Sequence, residues 1–367
     1  MDNRNLQAVD RALVAASGTA ACNCSTSKTQ GSGCVVGAQR RHCTVSWRCT
    51  GVAALTYCDR VRAGDQSNDQ ALLEMAGASG RQHLLLTLLG DYWYPRFDPL
   101  PSGALVDLLA EFGVSETNTR AALSRMSRKD LLVAGRQGRR TVYALSDAAM
   151  QTLHDGTRRI FTFGAQVAVW DGRWTVVAFS VPEENRSVRS TLRIKLGWKG
   201  FASLFDGVWV APGARDAEAA GLLGELGVEM ATVLVGKASD LGRNGSPTRA
   251  WNLDGLRDQY NAFIETFQPV ADRLAGDHFG SHEALVARTA VIDAWRAFPA
   301  VDPELPDELL PAEWPLMRAR QLFTTVYDAL GPAASDRFRA LLAIHDPAAA
   351  DLTAHHTSTT ALNLCTF

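Results

Sequence analysis

Apolar residues recur at helical spacing soon after position 80, and they predict the first organised elements of the chain. One stripe covers 84–89, and a second covers 105–112, where Gly113 follows as a common helix-terminating residue. The segment between the stripes contains three prolines, Pro95, Pro99 and Pro101. We therefore expect two helices joined by a loop that proline keeps out of the helical conformation.

A third helix is predicted immediately after Gly113, because Ser115 can cap its first turn with the hydroxyl oxygen. Four positions share one face through their i, i+3, i+4 and i+7 spacing and predict its buried side: Thr119, Ala122, Leu123 and Met126. The opposite face carries small, polar and basic residues: Thr117, Arg120, Ala121, Ser124 and Arg128. A helix that reads base edges needs donors on its exposed face, so this segment is a candidate recognition helix.

Two short alternating segments follow, at 131–134 and 141–145, and they predict a pair of strands. The turn between them, 135–140, contains three arginines. Two helices joined by a short turn and followed by a basic hairpin are typical of a winged helix-turn-helix domain, which we assign to residues 80–147. The candidate DNA-binding residues are Ser115, Thr117, Asn118, Arg120, Ser124, Arg125, Arg128, Lys129, Arg136, Arg139 and Arg140.

Local charge favours this interpretation. From Ser115 to Arg140 there are seven basic and two acidic residues, a net charge of +5 in a chain whose net charge is −2. Phosphate binding needs clustered cations of this kind. Each feature alone also fits a solvated helix face or an ordinary surface turn. Their order and proximity favour contact with double-stranded DNA.

The middle of the chain predicts a second domain. A linking helix is expected over 148–171, and residues 172–240 follow the order β-α-β-β-α-β of a ferredoxin-like domain. Its first helix, predicted over 183–196, is basic and is followed by an aromatic residue, Trp198. We name five candidate effector-binding residues, Arg186, Arg189, Arg193, Trp198 and Lys199. They fit either a cationic site for a phosphate-bearing effector or a solvated amphipathic face.

The last third of the chain predicts a helical domain over 249–346. Its final helices are expected at 316–330 and 336–344, and a rigid, proline-punctuated loop covers 302–315. Residues 347–367 are expected to form a disordered tail. The fold class is therefore α+β and multidomain, with a winged helix, a ferredoxin-like middle domain and a helical C-terminal domain.

Composition limits the remaining classes of protein. The 367 residues are 46% hydrophobic and 21% charged, and no apolar run reaches the roughly eighteen residues of a membrane-spanning helix. The near-neutral charge excludes a uniformly basic nucleic-acid coat protein. Six of the seven cysteines fall in the first 58 residues, and none lies between 59 and 364. The bulk of the chain therefore has no disulfide framework, and we expect a cytoplasmic protein without a membrane partner.

Residues 1–79 show no sustained helical or strand period. We expect a disordered tail, or a spurious extension translated from upstream DNA with Met75 as the true start. The cysteine spacing in this segment lacks the paired ligands of a structural zinc site. The chain also lacks the phosphate-loop, dinucleotide-binding, serine-hydrolase and zinc-protease motifs, so we expect no catalytic residues, metal or cofactor.

Several stretches together resemble the PaaX family of bacterial transcriptional repressors, which control phenylacetic acid degradation. They are 84–94 (LLLTLLGDYWY), 115–126 (SETNTRAALSRM), 174–196, 302–306 (DPELP) and 309–315 (LLPAEWP). The resemblance covers about residues 81–345. It implies a homodimer that binds an imperfect palindrome in an operator and is released by an aryl- or acyl-CoA effector.

The middle domain also resembles the small nuclease of CRISPR adaptation. That nuclease carries an aspartate near the end of its first strand, where this chain has Ser180, which cannot hold a metal as a carboxylate does. We therefore expect a dimerisation and effector module here. The competing hypothesis is a hydrolytic enzyme acting on nucleic acid or CoA thioesters. The absence of an acid, base or nucleophile cluster favours the repressor.

Overall fold

The structure, a computed structural model, describes residues 80–165, 169–239, 246–274, 276 and 279–364. The expectations for residues 1–79, including the start at Met75, lie outside the described residues. So do all seven cysteines and the last three positions of the expected tail. Among the described residues, no helix is both long enough and apolar enough to cross a membrane.

The N-terminal unit consists of three helices and a small sheet. Its elements are α1 (Arg81–Tyr92), β1 (Leu100–Pro101), α2 (Ser102–Ala110), α3 (Glu116–Arg128), β2 (Leu132–Gln137) and β3 (Arg140–Leu145). The strands lie in the order β1-β3-β2, and both neighbouring pairs are antiparallel. The hairpin β2–β3 is thereby joined through β1 to the segment that connects α1 and α2.

The expected linking helix over 148–171 is shorter in the structure. Helix α4 spans Asp147–Thr162, and Gly164 follows with φ 66°, a left-handed conformation that commonly ends helices. The indole Nε1 of Trp295 donates to the carbonyl of Ile160 at 3.2 Å. The C-terminal helices therefore hold the end of α4, which ends where the pattern of residues 147–163 predicts.

The middle unit is a four-stranded antiparallel sheet with two helices. Its elements are β4 (Trp174–Phe179), α5 (Arg186–Trp198), β5 (Ala202–Phe205), β6 (Val208–Pro212), α6 (Asp216–Glu225) and β7 (Ala231–Gly236). The strand order is β5-β6-β4-β7. Both helices pack on the sheet around a small core that includes Val177 and Leu192. This core is separate from the main one.

The C-terminal unit is helical. Its helices are α7 (Leu253–Arg273), α8 (Ser281–Trp295), α9 (Phe298–Val301), α10 (Leu316–Ala343), α11 (Pro347–Ala350) and α12 (Ser358–Leu364). Helix α10 continues through Pro332, where the sequence predicts a break between two helices. One buried stripe runs along both of its halves: Val326, Leu330, Ala334 and Phe338. Burial of that stripe outweighs the hydrogen bond that Pro332 cannot donate.

The expectation of a disordered tail over 347–367 is wrong for residues 347–364. Asp346 caps α11 by accepting the N–H of Ala349, and Ala350 and Ala361 are almost fully buried. Small side chains carry little hydrophobic signal in a sequence, but here they fit against larger residues of the main core. Packing against the rest of the molecule orders this segment.

The N-terminal and C-terminal units share a single hydrophobic core. It runs from Leu84 in α1 through Met126 in α3 to Trp295 in α8 and Ala361 in α12. The two units were expected to be separate domains, each with a core of its own. They instead form one body, and the middle unit is inserted between its two halves in the sequence.

Candidate nucleic-acid interface

Helix α3 is positioned by its cap and its buried face. Ser115 is the N-cap residue, and its Oγ accepts the N–H of Asn118 at 3.5 Å. The four residues of the expected core side are all buried: Thr119, Ala122, Leu123 and Met126. Ser115 therefore serves the helix start, and the face opposite the core is directed outward.

The outward face of α3 is exposed as the spacing predicts. Thr117, Arg120, Ser124 and Arg128 are exposed, and Arg125 is half-buried. Arg120 already has a partner in the free protein, because its Nη2 lies 2.7 Å from Oε1 of Glu116. An exposed i, i+4 pair of this kind contributes only about 0.3–0.5 kcal/mol. A guanine edge or a phosphate can therefore replace Glu116 at small cost.

The hairpin β2–β3 supplies the second cationic element. Gln137 and Arg140 pair across its end, which leaves a two-residue turn of Gly138 and Arg139. Gly138 has φ 60°, the conformation that the first position of such a turn requires. Arg136 and Arg139 are exposed. Neither arginine has an ion-pair partner among the residues that the structure describes, so both are available to a ligand.

Arg140 differs from the other arginines of the hairpin. Its Nη1 donates to the carbonyl of His345 at 2.8 Å. His345 in turn lies 2.6 Å from Oδ2 of Asp107 through its Nε2. Arg140, predicted as a DNA contact, is therefore bonded to the C-terminal unit and fixes the turn end of the hairpin. Lys129, another predicted contact, lies 3.5 Å from Oε1 of Gln82.

A second ionic contact joins α2 to the C-terminal unit. Arg337 in α10 donates from Nε and Nη2 to the two carboxylate oxygens of Glu111, at 2.7 and 2.8 Å. This two-point hydrogen bond is the first cause that holds the pKa of Glu111 below its ordinary value. Nδ1 of His282 lies 2.7 Å from the same carboxylate. The helix that precedes α3 is therefore tied to two C-terminal helices.

A buried charge lies where α1 meets the C-terminal unit. Arg288 in α8 is fully buried, and its Nη1 lies 3.5 Å from Oδ2 of Asp91 in α1. The hydroxyl of Tyr327 donates to Asp91 at 2.9 Å, and its ring lies under the Arg288 guanidinium at 3.8 Å. Burial raises the pKa of Asp91, and the charge of Arg288 opposes that rise. Sequence reasoning missed this cluster, although charged residues inside two apolar stripes were a signal for it.

Three of the five predicted effector-binding residues at α5 are paired with carboxylates. Arg189 lies 2.9 Å from Glu183, Lys199 lies 2.9 Å from Glu218, and Arg193 is paired with Asp206. The other two are exposed, Arg186 and Trp198, and Arg186 has no ion-pair partner within the described part of the chain. A phosphate group at this surface would have to compete with three carboxylates.

Metal chemistry finds little support in the part of the chain that the structure describes. No three His, Cys, Asp or Glu side chains come together there as metal ligands. Ser180, at the position of the nuclease aspartate, follows β4 and donates its backbone N–H to the carbonyl of Met230 at 2.9 Å. The site with the clearest organisation is therefore the cationic surface of α3 and the hairpin.

A basic helix with an exposed polar face, next to a basic hairpin, is the surface of the class of proteins that bind nucleic acid. Three family domains match the chain: the PaaX-like protein domain over 81–149, the PaaX protein central Cas2-like domain over 167–247, and the PaaX-like protein C-terminal domain over 251–340. The chain belongs to the PaaX family, as the sequence resemblance indicated. This is a family of transcriptional regulators and not of enzymes.

Two relatives illustrate the match. The transcriptional repressor PaaX of Escherichia coli (strain K12) is 30% identical over 258 residues, which cover 68% of this chain and 80% of the relative. A solved structure, the uncharacterized protein Rv0674 from Mycobacterium tuberculosis, is 26% identical and has a TM-score of 0.43. That match covers 71% of this chain and 97% of the other.

Proposed function

We propose that the protein is a transcriptional repressor that binds a double-stranded DNA operator through a winged-helix unit formed by α1 to α3 and the hairpin β2–β3. One observation carries this proposal. The outward face of α3 and the tip of the hairpin present exposed cations. A shared core, two ionic contacts and the hydrogen bond of Arg140 fix the elements that bear them. A positively charged surface on a rigid support suits a nucleic-acid duplex.

The two cationic elements, α3 and the hairpin, make different kinds of contact with DNA. Helix α3 enters the major groove, where Arg120 and its polar neighbours contact base edges. Arg136 and Arg139 contact phosphates beside the groove, which positions the protein without reading sequence. Arg140 positions the hairpin through His345 and makes no primary phosphate contact. The remaining predicted residues lie around these anchors: Thr117, Asn118, Ser124, Arg125, Arg128 and Lys129.

The middle unit is proposed as a ferredoxin-like dimerisation module. Its strand order and its pairing of antiparallel neighbours agree with that fold. Strand β7 is an edge strand, and Leu234 on it is 61% exposed. An exposed edge with apolar side chains favours pairing with a second copy. A homodimer would place two copies of α3 on the half-sites of an imperfect palindrome.

We further propose that the operator controls phenylacetic acid catabolism. In the cytoplasm, an aryl- or acyl-CoA effector then releases the protein from this operator. The family membership and the repressor relative support this role. The α5 surface with Arg186, Arg189, Arg193, Trp198 and Lys199 stays a candidate site for the effector phosphates. Phosphate binding at this surface would cost free energy, because Arg189, Arg193 and Lys199 would have to give up their carboxylate partners.

The test starts from DNA that the purified full chain selects from random fragments. The affinity for a selected duplex and for a random duplex is then measured by fluorescence anisotropy at one fixed salt concentration. A repressor of this class binds the selected DNA about 10³-fold or more tightly than the random DNA. Arg158→Ala, an exposed arginine on α4 away from both cationic elements, serves as control. Equal affinity for both duplexes would refute sequence-specific binding.

A further inference from the structure

A cavity of about 690 Å³ lies between α7 and the start of α10. Six of the residues that line it determine its chemistry: Arg257, Asn261, Ile264, Trp314, Met317 and Arg318. Small-molecule sites in proteins commonly have volumes of about 300–1,000 Å³. The cavity is therefore large enough for a small organic ligand, and it lies outside α3, the hairpin and α5.

One side of the cavity is apolar. Ile264 is almost fully buried, and the ring of Trp314 is held edge-on to Tyr260 at 6.1 Å. Met317 is 56% exposed, which is unusual for so large an apolar side chain. A fixed aromatic ring beside a mobile, polarisable thioether suits a flat apolar group.

The lining of the cavity also includes two guanidinium groups and an amide, those of Arg257, Arg318 and Asn261. Arg257 lies 5.8 Å from the centre of the Trp314 ring, and its carboxylate neighbour Asp254 is 3.7 Å away. Arg318 has no ion-pair partner among the residues that the structure describes. Glu313 also lines the cavity, so the two cations exceed the acidic charge by one. An arginine without a carboxylate partner is suited to bind an anionic oxygen.

We propose that this cavity binds an organic anion that carries an aromatic group, with the anion at Arg318 and Asn261 and the ring against Trp314 and Met317. The proposal rests on the proposed repressor function, since it identifies the site at which a ligand controls DNA binding. The ligand can be a free aryl carboxylate or its CoA thioester, because both combine anionic oxygen with a flat ring.

Helix α10 connects the cavity to the DNA-binding unit. Met317 and Arg318 lie in its first turn, and Tyr327 in its middle donates to Asp91 of α1. Arg337, further along, binds Glu111 of α2. The 28 residues of this helix span roughly 42 Å. A ligand that shifts the start of α10 therefore acts on a helix that contacts two of the three helices of the DNA-binding unit.

The experiment uses the full chain in calorimetric titrations without DNA, with phenylacetate, coenzyme A and phenylacetyl-CoA as the three probes. Either aryl probe binds the wild type, and coenzyme A alone binds more weakly. Arg318→Ala lowers the affinity for the aryl probe at least about tenfold, the loss expected for one charge-assisted hydrogen bond. Arg339→Ala, a half-buried arginine further along the same helix that is paired with Asp336, is the control and binds as the wild type does.

A second measurement separates this proposal from the proposed function. Without ligand, Arg318→Ala binds the operator with the affinity of the wild type. The aryl probe lowers this operator affinity less for Arg318→Ala than for the wild type. Because coupling is reciprocal, operator DNA lowers aryl-probe affinity by the factor by which the probe lowers operator affinity. Binding of none of the probes, or loss of binding in Arg193→Ala of α5 and not in Arg318→Ala, overturns the cavity site. DNA binding by the same preparation would leave the repressor function standing.

Discussion

The joint body of the N-terminal and C-terminal units and the inserted middle unit bury their apolar residues in different ways. The joint body has one core built from residues far apart in the chain. A buried ionic contact at Arg288 and a partly buried one at Arg337 join its two units, and an exposed hydrogen bond of Arg140 adds a third contact. The middle unit has a small core formed within 63 residues, from Trp174 to Gly236. Its ion pairs are short-range and largely exposed.

This difference has a functional meaning. A helix that reads bases must keep its orientation, and the joint body provides several long-range contacts to hold α3 and the hairpin. In the proposed function, the middle unit pairs with a second copy without disturbing those contacts. Its independence also means that its stability and that of the joint body should respond separately to substitution.

The largest expected effect comes from Arg288→Ala, which leaves Asp91 buried without its cationic partner. We expect a loss of about 3–5 kcal/mol in the free energy of unfolding of the joint body. Hydrogen exchange with mass spectrometry should show faster exchange in α1 and α10 together and unchanged exchange in β4 and β6. Faster exchange in α10 alone would show that the two terminal units are not one body.

The corresponding substitution in the middle unit is Leu192→Ala, because Leu192 is fully buried in the core of that unit. Removal of a buried leucine side chain costs about 2–5 kcal/mol. We expect this loss in the middle unit only, with faster exchange in β4, β6 and α5 and wild-type exchange in α1. Joint destabilisation of α1 would contradict the separation of the two cores.

His83 on α1 should make the joint body sensitive to acid. Burial, and then the nearby charge of Arg296, lower its pKa from 6.5 to about 3. The unfolded chain takes up a proton near pH 6.5 and the folded chain does not, so the stability that neutral His83 provides is complete above pH 6.5 and is lost as pH falls toward 3. At pH 5 the loss is about 1–2 kcal/mol. Urea unfolding at pH 7 and pH 5 measures the free energy of unfolding, and its decrease between the two pH values should be smaller for His83→Gln than for the wild type. Equal decreases would show that His83 is not the origin of the acid sensitivity.

The smallest expected effect distinguishes Arg139 from Arg140, two adjacent arginines of the hairpin, by the salt dependence of DNA binding. Arg139→Ala should weaken binding to every DNA sequence and reduce the salt slope of log affinity by about one, because one phosphate contact is lost. Arg140→Ala should leave that slope unchanged, because its guanidinium is held by the His345 carbonyl. Anisotropy titrations over a range of salt concentrations measure both. A reduced slope for Arg140→Ala and not for Arg139→Ala would reverse the assignment.

Local rules predicted helix α3 well. The cap at Ser115, the buried face of α3 and its exposed polar face all follow from spacing within a dozen residues. The shared core and the Asp91–Arg288 contact depend on residues almost two hundred positions apart, which periodicity does not detect. The same limit explains why Pro332 suggested a helix end and why residues 347–364 suggested a disordered tail. Their order comes from packing against distant parts of the chain.

The most direct test of the central claim compares Arg120→Ala with the wild type on the selected operator and on a random duplex at one salt concentration. Arg120 is exposed on the outward face of α3, where a two-point contact to guanine provides about 1–3 kcal/mol of discrimination. We predict that Arg120→Ala loses affinity for the operator by that amount and keeps most of its affinity for the random duplex. Equal loss on both duplexes, or no loss on either, would contradict the claim that α3 reads DNA sequence.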